Sequence, residues 1–317
     1  MAADDKLPVA LVTGSLGSGK TTLISGLLRS PALGETAVIV NELGEIGIDH
    51  HLLRRVDERT VLLKSGCLCC SLRGDLADEL RDLLSRRARG EIPAFRRVVV
   101  ETTGLADPGP VVYTLLSEPV VKHHYRLECV VATVDAQHGC SRPESVKQVA
   151  AADTLIITKT DVAACAPLRA RLARLNPTAR IVEASFGEVE PDLVFAAAPA
   201  VRELPVSPDP GGHDHGGVRA VSVVLDQQVD WTAFGIWLTM LLQARGSEIL
   251  RVKGLLDVGA AGPLLLNGVQ HVVHPPVHLD AWPDDDRRSR LVLIGLRLER
   301  AELERSLAAF NRLGAAA

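Results

Sequence analysis

Three cysteines fall within four residues at Cys67-Leu68-Cys69-Cys70. Thiolates at that density hold a soft or borderline metal such as Zn²⁺ or Co²⁺. Earlier in the chain, Gly14-Ser15-Leu16-Gly17-Ser18-Gly19-Lys20-Thr21 satisfies the phosphate-loop pattern G-x-x-x-x-G-K-[ST]. Glycines let backbone N–H groups turn inward around phosphate oxygens at a helix N-terminus, whose dipole favours anions. Lys20 is placed to reach the β and γ phosphates and Thr21 to ligate Mg²⁺. Gly14, Leu16, Gly17, Ser18, Gly19 and Thr22 complete the candidate nucleotide-binding set. A glycine-rich turn without a ligand is the competing reading. The strand-like Ala10-Leu11-Val12-Thr13 before the loop and the helix-like run from Thr22 to Arg29 after it argue against that.

The sulfurs of C-x-C-C cannot all face one way on a regular strand or helix. They require a turn, which Gly66 eases. Three thiolates and a fourth O, N or S donor suit Zn²⁺, and Co²⁺ fits similar geometry; a redox pair or inert buried thiols are the alternatives. Cys129, Cys140 and Cys165 stand alone and read as core or surface residues.

Two segments extend the nucleotide site. Arg97-Val98-Val99-Val100-Glu101-Thr102-Thr103-Gly104 ends a buried strand in an acid, the place for a Mg²⁺-side or water-positioning carboxylate, with Gly104 able to approach the γ phosphate. Thr158-Lys159-Thr160-Asp161 is a variant of the guanine-reading N-K-x-D signature. Asp161 can accept from the guanine N1–H and exocyclic amine, a pair adenine does not offer, while the Lys159 stem lies over the base. Ala184-Ser185-Phe186-Gly187 is a candidate backbone contact to the guanine edge. Asn41–Asp49 leaves a strand as an acidic, glycine-punctuated loop able to swing between nucleotide states, with Glu42, Glu45 or Asp49 near Mg²⁺ or the bound metal. Lys20, Thr21, Glu42 and Glu101 are the candidate catalytic residues, with Thr21, Glu42 and Glu101 as candidate metal-side oxygen donors.

Elements must bring these residues together. Val9–Thr13, Ala37–Val40, Val61–Leu63, Val98–Val100, Cys129–Val134, Leu155–Thr158 and Ile181–Val182 are β-branched runs alternating with helix-length amphipathic segments. That rhythm predicts an α/β fold with a mainly parallel, doubly wound sheet over residues 1–202. Residues 203–217, rich in Pro and Gly, read as a linker. Residues 218–317 read as a smaller α+β module: strand Ala220–Leu225, helix Trp231–Ala244, strands Glu248–Leu256, Leu264–Val273 and Arg290–Leu298, and helix Arg300–Arg312. With 317 residues, two domains are expected. A formal charge of −4 gives no global reason to expect nucleic acid or an anionic membrane as partner. No apolar run reaches the roughly 18 residues of a membrane helix, and the clustered cysteines suit a reducing compartment, so a cytoplasmic protein is expected. His123, His124, His271 and His274 read as solvated.

Taken in order, Gly14–Thr21, Asn41–Asp49, Gly66–Cys70, Glu101–Gly104, Thr158–Asp161, Trp237, Ile249–Gly254 and Leu291–Gly295 resemble the CobW-like GTP-binding metallochaperones. The resemblance implies a GTPase that delivers a divalent metal to a client protein, with Cys67, Cys69 and Cys70 as its principal metal site and a ferredoxin-like C-terminal domain. GTP or GDP, Mg²⁺ and a zinc or cobalt cargo are the implied ligands, and a homodimer is a further expectation. Leu43 stands where relatives commonly carry an aromatic, and the linker holds only His213-Asp214-His215 in place of a histidine tract. A metal sensor or buffer without delivery and a phosphate-loop kinase are the rival readings. Preference for ATP, or phosphate transfer to a small molecule, would favour the kinase.

Overall fold

The computed structural model describes residues 5–40, 61–64, 72–195 and 217–314. The chain divides into two compact units, Met1–Arg169 with Arg180–Ala198, and Ala170–Ala179 with Pro199–Ala317. Of the expected linker, 203–217, only Gly217 lies among the described residues.

Seven strands of the first unit form one sheet: β1 (Leu7–Gly14), β2 (Thr36–Val40), β3 (Val61–Lys64), β4 (Arg97–Glu101), β5 (Tyr125–Asp135), β6 (Thr154–Thr158) and β7 (Arg180–Glu183). Their order is β3-β2-β4-β1-β5-β6-β7. Every pairing is parallel. Parallel strands covered on both faces need continuous apolar runs, and Val9, Ala10, Leu11 and Val12 are all 0% exposed. On one face, Leu23, Ile24 and Leu27 of the helix Lys20–Leu27 pack with Val12, Val38, Val131 and Ile156. The connections from β1 run to one side through β2 and from β5 to the other through β6. The reversal opens a crevice at the carboxyl end of β1, where such sheets bind ligands.

All seven expected strands are present, and β5 starts earlier than its apolar run suggested. Arg126 and Glu128 interrupt that run in sequence. Glu128 is accommodated by a bidentate pair with Arg97 at 2.9 and 3.0 Å, and Arg97 also lies 4.8 Å from the Phe195 ring centroid. The charge is thus neutralised within the strand-forming region.

In the second unit, β8 (Val218–Leu225), β9 (Ile249–Leu256), β10 (Leu264–Val269), β11 (Val272–Val273), β12 (Val277–His278) and β13 (Ser289–Leu296) form an antiparallel sheet ordered β11-β10-β9-β13-β8, with β12 on β10. The helices Trp231–Arg245 and Arg300–Gly314 contribute Phe234, Trp237, Leu238, Leu303 and Leu307 to one core with Val221, Val252, Leu266 and Leu293. Trp237 Nε1 donates to Ser306 Oγ at 3.0 Å, joining the two helices. Helix Trp231–Arg245 links β8 to β9 across the intervening β13, the split βαβ unit on which ferredoxin-like folds are built; the second helix follows the last strand. The single strand expected over 264–273 instead breaks into a hairpin. Gln270 turns it with φ 54°, without the glycine or asparagine that makes such turns visible in sequence. His271 is exposed in that turn, whereas His274 is half-buried with Nδ1 3.3 Å from Asn267 Nδ2, so the solvated reading fails for His274. His123 and His124 are exposed. Among the described residues no helix is long and apolar enough to cross a membrane.

Gly26 and Gly187 allow the helix after β1 to meet the loop after β7. A Cβ on Gly26 would lie 2.1 Å from Gly187 O. Gly26→Ala is therefore expected to destabilise the fold by about 1–3 kcal/mol, as overpacking does. Chemical denaturation measures it, and an unchanged midpoint would contradict the contact.

Candidate functional site

The phosphate loop occupies the crevice at the end of β1. Gly14, Gly17 and Gly19 have φ of 141°, 74° and 90°, a region glycine enters without strain. Hydroxyl groups brace the loop from the sheet. Ser18 Oγ lies 2.6 Å from Thr133 Oγ1 at the end of β5, and Thr158 Oγ1 at the end of β6 donates to Ser18 O at 2.7 Å. Ser18 N donates to Ser15 O at 3.1 Å. The hydroxyl of Ser18, a candidate nucleotide-binding residue, is thus held by the sheet, which shapes the loop. Lys20 is buried, and its ammonium donates to Gly14 O and Ser15 O at 3.0 and 3.1 Å.

At the end of β4, Glu101 Oε1 accepts from Thr21 Oγ1 at 2.8 Å, and Glu101 is only 5% exposed. A hydroxyl and a carboxylate converging beside a phosphate loop are hard oxygen donors of the kind Mg²⁺ takes. Thr102 N donates to Val12 O at 3.0 Å and Thr102 Oγ1 to Thr13 Oγ1 at 2.9 Å, fastening the segment after Glu101 to β1. Gly104 then meets the loop: a Cβ there would lie 2.4 Å from Leu16 N. Gln148, which the sequence reading missed, donates to Gly104 O and Ala106 O at 3.2 and 3.0 Å, holding the segment at that approach.

The segment expected to read guanine follows β6. Lys159 has φ 58° and starts a turn closed by Val162 N donating to Lys159 O at 3.1 Å, with Asp161 exposed. Thr160 Oγ1 lies 2.6 Å from Ser185 Oγ, so the loop after β7 is brought beside this turn. Asp135 is the functional candidate missed in the sequence. It ends β5, is 4% exposed, and accepts from Lys159 Nζ at 2.6 Å, Gln137 N at 2.8 Å and His138 Nδ1 at 2.9 Å. Burial pushes its carboxyl up, but these hydrogen bonds outweigh burial and hold it at about 2. The signal was available: Thr133-Val134-Asp135 ends a strand in an acid at the same sheet edge as Glu101.

Glu42, Glu45, Asp49, Cys67, Cys69 and Cys70 lie outside the described residues. Among the described residues no three His, Cys, Asp or Glu side chains are grouped to hold a metal. Cys129 and Cys140 are buried and Cys165 is half-buried; burial raises the Cys129 thiol well above its ordinary value. That opposes the thiolate form a metal needs.

Residues 8–183 match the CobW/HypB/UreG nucleotide-binding domain, and residues 218–311 match the cobalamin synthesis protein CobW C-terminal domain. The chain belongs to the CobW family. Among its relatives, the zinc chaperone YjiA of Escherichia coli is 35% identical, covering 96% of this chain and 99% of that protein. The zinc chaperone CobW of Pseudomonas aeruginosa is 33% identical, covering 95% and 91%. The crystal structure of Zn(II)-bound YjiA GTPase from E. coli superposes with a TM-score of 0.75 at 30% identity, over 96% of this chain and 99% of that one. The phosphate loop, Glu101 and the turn at Lys159–Asp161 all lie within the residues matched to the nucleotide-binding domain.

The Asp135–Lys159 pair sets a pH expectation. A carboxyl lowered from 3.8 to about 2 keeps its stabilising contacts above 3.8 and loses them as pH falls through about 2. Between pH 5 and 8 the pair should stay intact. Asp135→Asn is expected to weaken binding of a fluorescent GTP analogue about tenfold or more across that range, since hydrogen bonds to charged groups are worth about 1.5–3 kcal/mol. Unchanged affinity would remove Asp135 from the site.

Proposed function

We propose that this CobW-family chain hydrolyses GTP and couples the nucleotide to delivery of a divalent metal, zinc foremost with cobalt as competitor, to a client protein. The observation carrying the nucleotide half is the Thr21–Glu101 contact beside a braced phosphate loop. The metal half is supported by the full-length likeness to proteins named zinc chaperones. Base choice follows from the turn at Lys159–Asp161: an exposed carboxylate available for guanine, beside a lysine fixed by Asp135. A site built to pair that carboxylate penalises adenine by leaving it unpaired.

In this reading Lys20 holds the β and γ phosphates, the backbone from Leu16 to Thr22 cradles them, and Gly104 approaches the γ phosphate. Thr21 and Glu101 hold Mg²⁺, which when bound neutralises charge developing between the phosphates. Glu42 and Glu101 are the carboxylates proposed to orient the attacking water. Cys67, Cys69 and Cys70 hold the cargo, in the reduced thiolate form a cytoplasmic setting maintains. The C-terminal module is proposed to recognise the client or a second copy of the chain.

Coupling between nucleotide and cargo is reciprocal, so a factor by which GTP tightens zinc is the factor by which zinc tightens GTP. Competitive titration of Zn²⁺ and Co²⁺, with a non-hydrolysable GTP analogue and with GDP, tests the proposal. Affinity is expected to be higher with the analogue, and a Cys67→Ala, Cys69→Ala, Cys70→Ala variant is expected to lose one nucleotide-sensitive equivalent. Equal affinities in both nucleotide states would overturn the switch, and unchanged stoichiometry in the variant would overturn the thiol site.

A further inference from the structure

A cavity of about 360 Å³ adjoins the phosphate loop on the side facing β5 and the helix Pro143–Ala151. Ser15, Leu16 and Gly17 form one wall, and Asp135, Arg142, Ser145 and Lys159 contribute to the others. Leu16 marks the γ-phosphate end of the loop, because Gly104 approaches the backbone there. The cavity therefore flanks the end of the loop at which the transferred phosphoryl group belongs.

Its cations are not equivalent. Lys159 is committed to Asp135 at 2.6 Å. Arg142 is exposed, and its guanidinium makes no hydrogen bond or ion pair with any described residue. Ser145 is 5% exposed, lines the same cavity, and its hydroxyl has no hydrogen-bond partner among the described residues. A serine hydroxyl lining the cavity and an uncommitted guanidinium thus share it with a phosphate loop. Phosphoryl oxygens are the ligand chemistry that satisfies both.

Resting on the GTPase reading, we propose that Arg142 is a catalytic residue acting in cis, its guanidinium reaching the γ-phosphoryl group through this cavity while Ser145 donates to the same group. In hydrolysis a bond forms between the water oxygen and the γ phosphorus as the bond from that phosphorus to the β–γ bridging oxygen breaks. The electron pair stays with GDP. Of the two water protons, one remains on the phosphate product and one leaves to solvent. Negative charge spreads over the equatorial and bridging oxygens during that step, and an arginine there stabilises the transition state more than bound GTP.

The test uses the full chain with Mg²⁺, measuring phosphate release and GDP binding with and without aluminium fluoride, in wild type, Arg142→Ala and Arg142→Lys. Arg142→Ala is expected to lower kcat by about 10²–10³-fold, leave KM for GTP and affinity for GDP nearly unchanged, and abolish the tightening of GDP by aluminium fluoride. Arg142→Lys should recover part of kcat. Wild-type hydrolysis with unchanged kcat and retained aluminium fluoride tightening in Arg142→Ala would overturn the assignment while leaving the GTPase reading standing. A wild type that binds GTP without hydrolysing it overturns the GTPase reading and this assignment with it.

Discussion

Gly14 has no room for a side chain: a Cβ would lie 2.3 Å from Thr133 Oγ1 and 2.7 Å from Ser18 Oγ. That crowding is what locks the phosphate loop onto the sheet. Because Gly14 lies against β5, Ser18 can reach the Thr133 hydroxyl, and Thr158 of β6 can reach the Ser18 carbonyl. Three neighbouring strands thereby fix a loop whose backbone must keep its N–H groups turned inward. Preorganisation of this kind avoids reordering the loop each time phosphate binds.

The same strand ends also supply the charges. Glu101 closes β4 beside Thr21, and Asp135 closes β5 beside Lys159. The two acids do different work despite similar burial. Glu101 meets a hydroxyl and faces the phosphate loop's first helical turn, an arrangement that leaves it suited to a cation. Asp135 is saturated by an ammonium, an imidazole and a backbone N–H, so it is spent on positioning. Lys159 needs such a partner, because its backbone has φ 58°, a conformation costly for a residue with a side chain.

The parallel sheet was legible in the sequence because its strands are buried on both faces and read as unbroken β-branched runs, and because glycine-rich and acidic motifs sit at their carboxyl ends. Less visible were contacts made by ordinary residues. Gln148 looks like any polar position on an amphipathic helix, yet it holds Gly104 and Ala106. Ser18 fits the motif as a phosphate contact, although its hydroxyl is turned to the sheet. The hairpin at Gln270 was hidden because the turn chemistry lies in backbone conformation, which residue type marks only when glycine or asparagine is used. Local sequence thus marked the candidate residues at the strand ends, while the partners that orient them emerged only from long-range packing.

Register aligns the ends of the outer strands with the Thr21–Glu101 contact. Lys64 pairs with Val40, Val40 with Glu101, and Glu101 with Val12, one row across four adjacent strands. At about 4.8 Å per strand, Lys64 lies about 10 Å from Glu101. Strands β2 and β3 thus end, at Val40 and Lys64, in the same row as Glu101, so the sheet ties the ends of its two outer strands on this side to the Thr21–Glu101 contact.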